Sequence, residues 1–323
     1  MASAQQVQNA LRTSGFGLQI GPFSVKVRSR LTEVAEGIAF FYRDHPTPES
    51  EFFDFHISIN PATPLRRWKN THVNFDVDGM TPFKPIPKAL AFSAFEWGLD
   101  YCFSSVLQNH LIVNAAAVEK TGCTLILPAQ AGSGKSTLTA GLVSRGWSLL
   151  SEELALIPIN NPGAVTPVIR PICLKNESIE VVKDYAPQSV FGPVTRSVET
   201  GDMAYMQAPQ VAAPNVSQSN STRYLVFPHH NSFGNARLIP KSKARAFLEA
   251  AHLSFNFDVL GRTGFDLLNR VVTTSHCYDF IHCQLDDAVT KLDELAHSTT
   301  SSNETSENTV TTFGVAGLEE TSL

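Results

Sequence analysis

Apolar and polar positions fall into short runs along this chain, and the spacing within them changes from one stretch to the next. Residues 23–29 (FSVKVRS), 37–43 (GIAFFYR) and 52–59 (FFDFHISI) alternate or cluster β-forming residues. RDHPTPES and NPATP punctuate them with turn formers, which predicts short strands of a small antiparallel sheet. Residues 1 to about 20 are expected as a frayed or lightly docked lead-in. From 87 to 110, Ala91, Ala94, Phe95, Leu99 and Phe103 recur at near-helical spacing and predict a helix.

Two strands follow, 111–119 and 123–129, broken by KTG. A helix is expected from Lys135 to about Arg145, stopped by Gly146. Residues 147–159 read as one strand with an acidic pair inside it. The stretch 160–220 is rich in Pro, Asn, Ser and Val and is expected to hold mobile loops. Strands are then expected at 223–228, 236–240 and 277–285, with helices at 242–257, 261–275 and 286–297. Beyond that the chain is polar and poor in core formers, which predicts disorder. Strands alternating with helices make the class α/β, organised as a β-rich extension (1–86), a main domain (87–297) and a tail (298–323).

Length and charge narrow the function. The 323 residues suffice for one large α/β domain with an extension. A net charge of −5 argues against a basic stripe for nucleic acid, so no nucleic-acid partner is expected. The N-terminal residues show no apolar core behind positive charges and no run is long enough to span a bilayer. A cytoplasmic location without a membrane partner is therefore expected. The five cysteines, Cys102, Cys123, Cys173, Cys277 and Cys283, contain no CxxC and read as buried or incidental thiols.

Candidate chemistry centres on Ala129, Gln130, Ala131, Gly132, Ser133, Gly134, Lys135, Ser136 and Thr137 (AQAGSGKST), which fit the P-loop pattern with Ala in place of the first Gly. Small residues let successive backbone N–H groups curl around phosphate oxygens, and a following helix adds its positive end. Lys135 supplies a point charge to the β and γ phosphates, and the Ser136 hydroxyl is a ligand for Mg²⁺. A strand before the motif and a helix after it meet the context such a cradle needs. Ser151-Glu152-Glu153 follows directly. Should that strand lie parallel and next to 123–128, both would deliver their carboxyl ends to one crevice. One carboxylate would then accept a proton and the other hold Mg²⁺.

NAAAVEKTGCTLILPAQAGSGKSTLTAGLVSRGWSLLSEELALI resembles the catalytic core of the HPr serine kinase/phosphorylase family, and more closely its HprK-related kinase A branch. The likeness extends through RPICLKNESIE, RYLVFP and FNFDVLGRTGFDLL, up to about residue 297. It implies a P-loop kinase core akin to the phosphoenolpyruvate carboxykinase fold, using ATP and Mg²⁺. It further implies a bacterial kinase that phosphorylates a Ser/Thr-type hydroxyl of a protein or peptide. An acceptor encoded nearby as a small partner protein and a homo-oligomeric state are further expectations from that likeness. Carried over by position, Lys135 and Ser136 match the P-loop pair, Glu152 the catalytic base and Glu153 the second, metal-binding acid. The family usually has Asp where Glu152 stands, and a histidine where Asn114 stands. Asn does not titrate near neutral pH, so the reverse, phosphorylase-type reaction is not expected.

Arg170 and Lys175 are cations suited to the transferred phosphoryl group or a substrate anion, Lys175 being the better placed of the two. Arg196 could close on nucleotide, whereas Arg262 reads as part of a structural turn. His229 and His230 lack partners at metal-ligand spacing and read as solvent-facing. Trp97 reads as a packing residue. The readings that compete with a protein kinase are an ATP-binding switch or pseudokinase, a small-molecule kinase and a generic P-loop ATPase.

Overall fold

The computed structural model describes residues 3–62, 72–197, 201–209 and 222–310, of which 299–310 are described by backbone only. The lead-in is ordered. Helix α1 (Ala4–Arg12) opens on a capping box in which Ser3 accepts from the Gln6 N–H and Gln6 accepts from the Ser3 N–H. Its buried Val7 and Leu11 anchor it to the core. Strands β1 (Phe16–Ile20) and β2 (Phe23–Ser29) then form a hairpin.

The stretch expected as a strand around 37–43 falls instead in α2 (Thr32–Phe41). Val34, Ala35, Ile38 and Phe41 share its buried face, a spacing of four and three that outweighs the β propensity of the aromatic run. As a crossover, α2 joins β2 to β3 (Phe55–Pro61), which pairs parallel to it. Strands β4 (His72–Val77) and β5 (Ile86–Pro87) complete a five-stranded sheet in the order β1-β2-β3-β4-β5. The sheet is thus mixed rather than antiparallel. Helix α3 (Ala91–Val106), entered through a 3-10 turn, packs its buried Ala94, Phe95, Leu99 and Phe103 into the core beneath this sheet. That core continues without a break into Ile112, Leu154, Leu156 and Val168 of the central region.

The second sheet begins with a long hairpin, β6 (His110–Lys120) and β7 (Cys123–Pro128). Thr121 and Gly122 join them with φ of +48° and +75°, a two-residue turn whose twist matches the strands. After α4 (Lys135–Ser144), strands β8 (Ser148–Ser151) and β9 (Leu154–Pro158) lie in succession along the other edge of β6, both antiparallel to it. The one strand expected at 147–159 is therefore interrupted at Glu152 and Glu153.

Three strands of the region expected as loops form a small antiparallel sheet of their own. Strand β10 (Ile172–Lys175) leads into α5 (Glu177–Tyr185), and β11 (Thr195–Ser197) precedes β12 (Gly201–Met206), with the order β10-β12-β11. Ile172, Leu174, Ala204 and Met206 are buried there, which is why the segment orders despite its prolines. Of the stretch 160–220, residues 198–200 and 210–220 lie outside the described residues.

Strand β13 (Thr222–His230) pairs parallel to β7. It is followed by β14 (Arg237–Pro240), α6 (Lys243–His252), α7 (Phe257–Thr274), β15 (His276–His282) and α8 (Leu285–Val310). The order β14-β15-β13-β7-β6-β8 makes a mixed sheet with a parallel centre. Leu138 and Leu142 of α4 and Val289 and Leu292 of α8 cover one face, while Leu267 and Val271 of α7 cover the other. The fold is α/β, with helices on both faces of that sheet. No Gly or Pro interrupts 285–310, and the helix continues past 297 to Val310; residues 311–323 lie outside the described residues. Among the described residues no helix is long and apolar enough to cross a membrane.

Candidate functional site

The cradle is built by β7 entering α4. Gly132 and Gly134 both hold φ of +85°, a region that costs a β-substituted residue strain, and Gly134 caps α4 in the left-handed conformation. The loop is tied back by Ala129 N–H donating to the Asn114 carbonyl at 3.1 Å and Ser133 N–H to the Gln130 carbonyl at 3.3 Å. Gln130 to Thr137 line a cleft of about 380 Å³ together with Asn114, Glu153, Cys173, Lys175, Asn176 and Ser178. Its size falls within the range of small-molecule sites.

The acids reach the cradle by a route other than the expected one. Strands β7 and β8 run parallel, but β6 lies between them, because the Thr121–Gly122 turn places β6 against β7 and leaves β8 only its far edge. The crevice forms nonetheless because the chain breaks away from β6 between β8 and β9. Ser151 closes that break, its hydroxyl donating to the Leu154 carbonyl at 2.6 Å, and the Ala115 N–H donates to the Glu153 carbonyl at 3.1 Å.

Lys135, only 5% exposed, donates to the Glu152 carbonyl at 2.8 Å and to Glu153 Oε2 at 2.6 Å. The Ser136 hydroxyl donates to Glu152 Oε1 at 2.5 Å. The two carboxyls thus have different surroundings. Glu152 is buried beneath Ser136; burial first, then the charge on Glu153, pushes it up to about 8 despite Lys135. Glu153 is half-exposed and faces the cleft; burial raises it, but Lys135 and then Arg170 and Lys175 hold it below the ordinary carboxylate range. Two groups of the cleft remain open: Asn114 Oδ1 and Ser133 Oγ are buried without a hydrogen-bond partner.

Of the other sequence candidates, Lys175 at the end of β10 lines the cleft. Arg170 does not. It is buried, donating to the Glu96 carbonyl at 3.0 Å and bonding Asp100 of α3, so it is engaged elsewhere. Arg196 is 84% exposed beside Asp202, and Arg262 is 94% exposed beside Asp266; neither lines the cleft. Gly261, next to Arg262, puts a kink of φ +54° inside α7. Trp97 packs half-buried on the N-terminal core. Cys123 and Cys173 are pushed up to about 12 by burial and stay thiols near neutral pH. Cys173 does line the cleft, which sequence reasoning did not foresee.

Asn176 and Ser178 were also missed. Asn176 holds a strained φ of +51° at the start of α5, and its Oδ1 accepts from the Asp202 N–H at 3.1 Å. An Asn before an acidic first turn is a helix-start signal, so KNESIE carried the clue. Among the described residues no group of three or more His, Cys, Asp or Glu side chains could hold a metal ion unaided. Mg²⁺ ordinarily keeps water and substrate phosphate ligands beside one or two carboxylates, and Ser136 with Glu152 is a donor set of that kind.

No protein-family model and no curated protein matches the chain.

Proposed function

We propose that this protein is an ATP-dependent phosphotransferase with a P-loop kinase core, passing the γ-phosphate to a hydroxyl of a protein or peptide. The observation that carries the reading is the convergence at the cradle: the lysine and the hydroxyl of the GKS motif are each hydrogen-bonded to an acid from the β8–β9 break. A glycine turn formed by chance would have no reason to bury a lysine against a carboxylate at its mouth. The likeness of the motif and its surroundings to the HprK-related kinases supports the same reading.

The backbone N–H groups of 131, 132 and 134–136 and Lys135 Nζ supply the positive field for the phosphates. Ser136 and Glu152 would hold Mg²⁺, which when bound would offset the charge of the phosphates. Glu152, held up to about 8 by burial and by Glu153, would give up its proton on that binding. Glu153, ionised and facing the cleft, orients the acceptor hydroxyl and takes its proton. This exchanges the two roles that the likeness implied for the acids. A loose phosphoryl transition state asks little of the base, so a carboxylate of depressed pKa suffices. Asn114 Oδ1 from β6 and Lys175 from β10 face the same cleft and would position acceptor and phosphate.

Incubation with γ-labelled ATP, Mg²⁺ and a Ser/Thr peptide library tests this. Wild type is expected to label a hydroxyl acceptor, and Lys135→Ala and Glu153→Gln to lose about 100-fold or more of that transfer. Free phosphate without a labelled acceptor would point to an ATPase instead. Tight ATP binding with neither product would make the protein a switch, and a labelled metabolite would make it a small-molecule kinase.

A further inference from the structure

The acids occupy one flank of the cradle; the other flank is formed by β13 and β15. Both run parallel to β7 within the same sheet, since β13 pairs parallel with β7 and with β15. Their carboxyl ends therefore open on the same edge as the P-loop, where ligands of such sheets bind. Those ends carry His230 and His282, paired in register with their strand neighbours as His229↔Ile281 and His230↔His282.

His282 is 4% exposed, and neither ring nitrogen has a hydrogen-bond partner. Its ring stacks on Phe280 with centroids 5.2 Å apart and meets the His230 ring edge-on at 5.6 Å. Both abut the cradle. A β-carbon placed on Gly134 would lie 3.3 Å from His230 Cβ and 3.5 and 3.7 Å from Cε1 and Nε2 of His282. Burial, with His230 beside it, lowers the His282 imidazole to about 4, so it is neutral near pH 7, with one nitrogen carrying a hydrogen and the other a lone pair.

A phenylalanine would fill this apolar position without desolvating two nitrogens. An imidazole with both nitrogens bare is costly unless something else meets them. A metal is not the partner the surroundings favour, because no cluster of three ligands is present among the described residues. The cradle and acids account for the triphosphate end of a nucleotide, which leaves its nucleoside end to the flank away from the acids.

We propose that His282 and His230 form the seat for the nucleoside part of the bound nucleotide, His282 hydrogen-bonding it and the exposed His230 ring stacking against its base. The inference rests on the phosphate-binding reading of the cradle and adds to it a selectivity for nucleotides over bare polyphosphate. The seat lies beside the cradle, outside the residues that line the 380 Å³ cleft.

Calorimetric titration of the full chain with ATP and with inorganic tripolyphosphate, both with Mg²⁺, tests it. Wild type should bind ATP more tightly than tripolyphosphate. His282→Phe keeps the ring and should weaken ATP about tenfold, a loss of about 1.4 kcal/mol, while tripolyphosphate affinity stays within about twofold. His230→Ala removes a surface ring, leaves the core intact should His282→Phe fold poorly, and should show the same split at about threefold. Lys135→Ala should weaken both probes alike. Equal affinity of wild type for the two probes would overturn the histidine seat and leave the cradle standing, as would histidine variants that leave ATP unchanged or lower both probes equally. Binding of neither probe by wild type would overturn the cradle reading and the seat with it.

Discussion

Arg170 and Lys135 are both buried cations facing two carboxyl residues, yet their surroundings differ in what is left unpaired. Around Arg170 the cation and both carboxyl groups are partnered. Its guanidinium bonds Asp100 and the Glu96 carbonyl, Glu96 Oε2 lies 3.5 Å away, and Tyr42 donates to Glu96 Oε1 at 2.8 Å. The Phe103 ring lies beneath it, 5.9 Å from centroid to guanidinium carbon. Around Lys135, Asn114 Oδ1 and Ser133 Oγ have no partner, and a cleft opens in front.

A closed polar network ties α3 of the N-terminal region to the segment before β10, whereas an open one keeps valences for a ligand. The two communicate, because Arg170 helps to keep Glu153 ionised. Helix α3, packed beneath the N-terminal sheet, therefore does more than fill the core: it supplies the carboxylates that hold Arg170 in place.

Breaking the closed network should have the largest effect on stability. Arg170→Met leaves Glu96 and Asp100 buried without their cation and should cost about 3–5 kcal/mol in a urea titration. Replacing an acid at the open site should change how stability depends on pH. A carboxyl whose folded pKa exceeds its unfolded value of 4.5 binds more protons when folded, so its contribution falls as pH rises between the two. Glu96 at about 7 and Glu152 at about 8 act in this sense across pH 5–8. Glu152→Gln should remove part of that slope and, on the order of 1–3 kcal/mol, leave the variant more stable than wild type at pH 8, read as urea midpoints at pH 5 and 8. The same variant should transfer less phosphate, its hold on Mg²⁺ being lost.

The smallest change in stability is expected at Asn114. Its Oδ1 has no partner to lose, so Asn114→Ala should alter stability by no more than about 0.5 kcal/mol. Labelled transfer by that variant should nonetheless fall about tenfold or more. A loss of stability at Asn114 as large as at Arg170 would erase the contrast between the two networks.

Much of the central sheet was legible because its strands are apolar and bounded by Gly or polar residues. The β6–β7 hairpin, α4 and β13 lie where the periodicity put them. The lead-in and 37–43 were misread for a common reason. In α1 the cap, Ser3 with Gln6, carries the signal rather than the sparse apolar residues, and in α2 an aromatic run masks a helical face. The sheet of β10 to β12 was hidden because its strands are short and embedded among prolines, and their burial depends on partners far along the chain. Cys173, Asn176 and Ser178 entered the cleft with it. Arg170 looked like a free cation because the carboxylates that occupy it lie about seventy residues earlier.

By itself the sequence determined the cradle. Backbone dihedrals and a helix start are local properties, and GSGKS sets them with residues in immediate succession. It also placed an acid pair close in the chain. Only the tertiary structure decided which acid meets which group, since a break between β8 and β9 and the interposed β6 determine where each carboxyl points. The placement of His282 beside Gly134 was decided the same way, by strand order across 148 residues of separation, over which no local pattern extends.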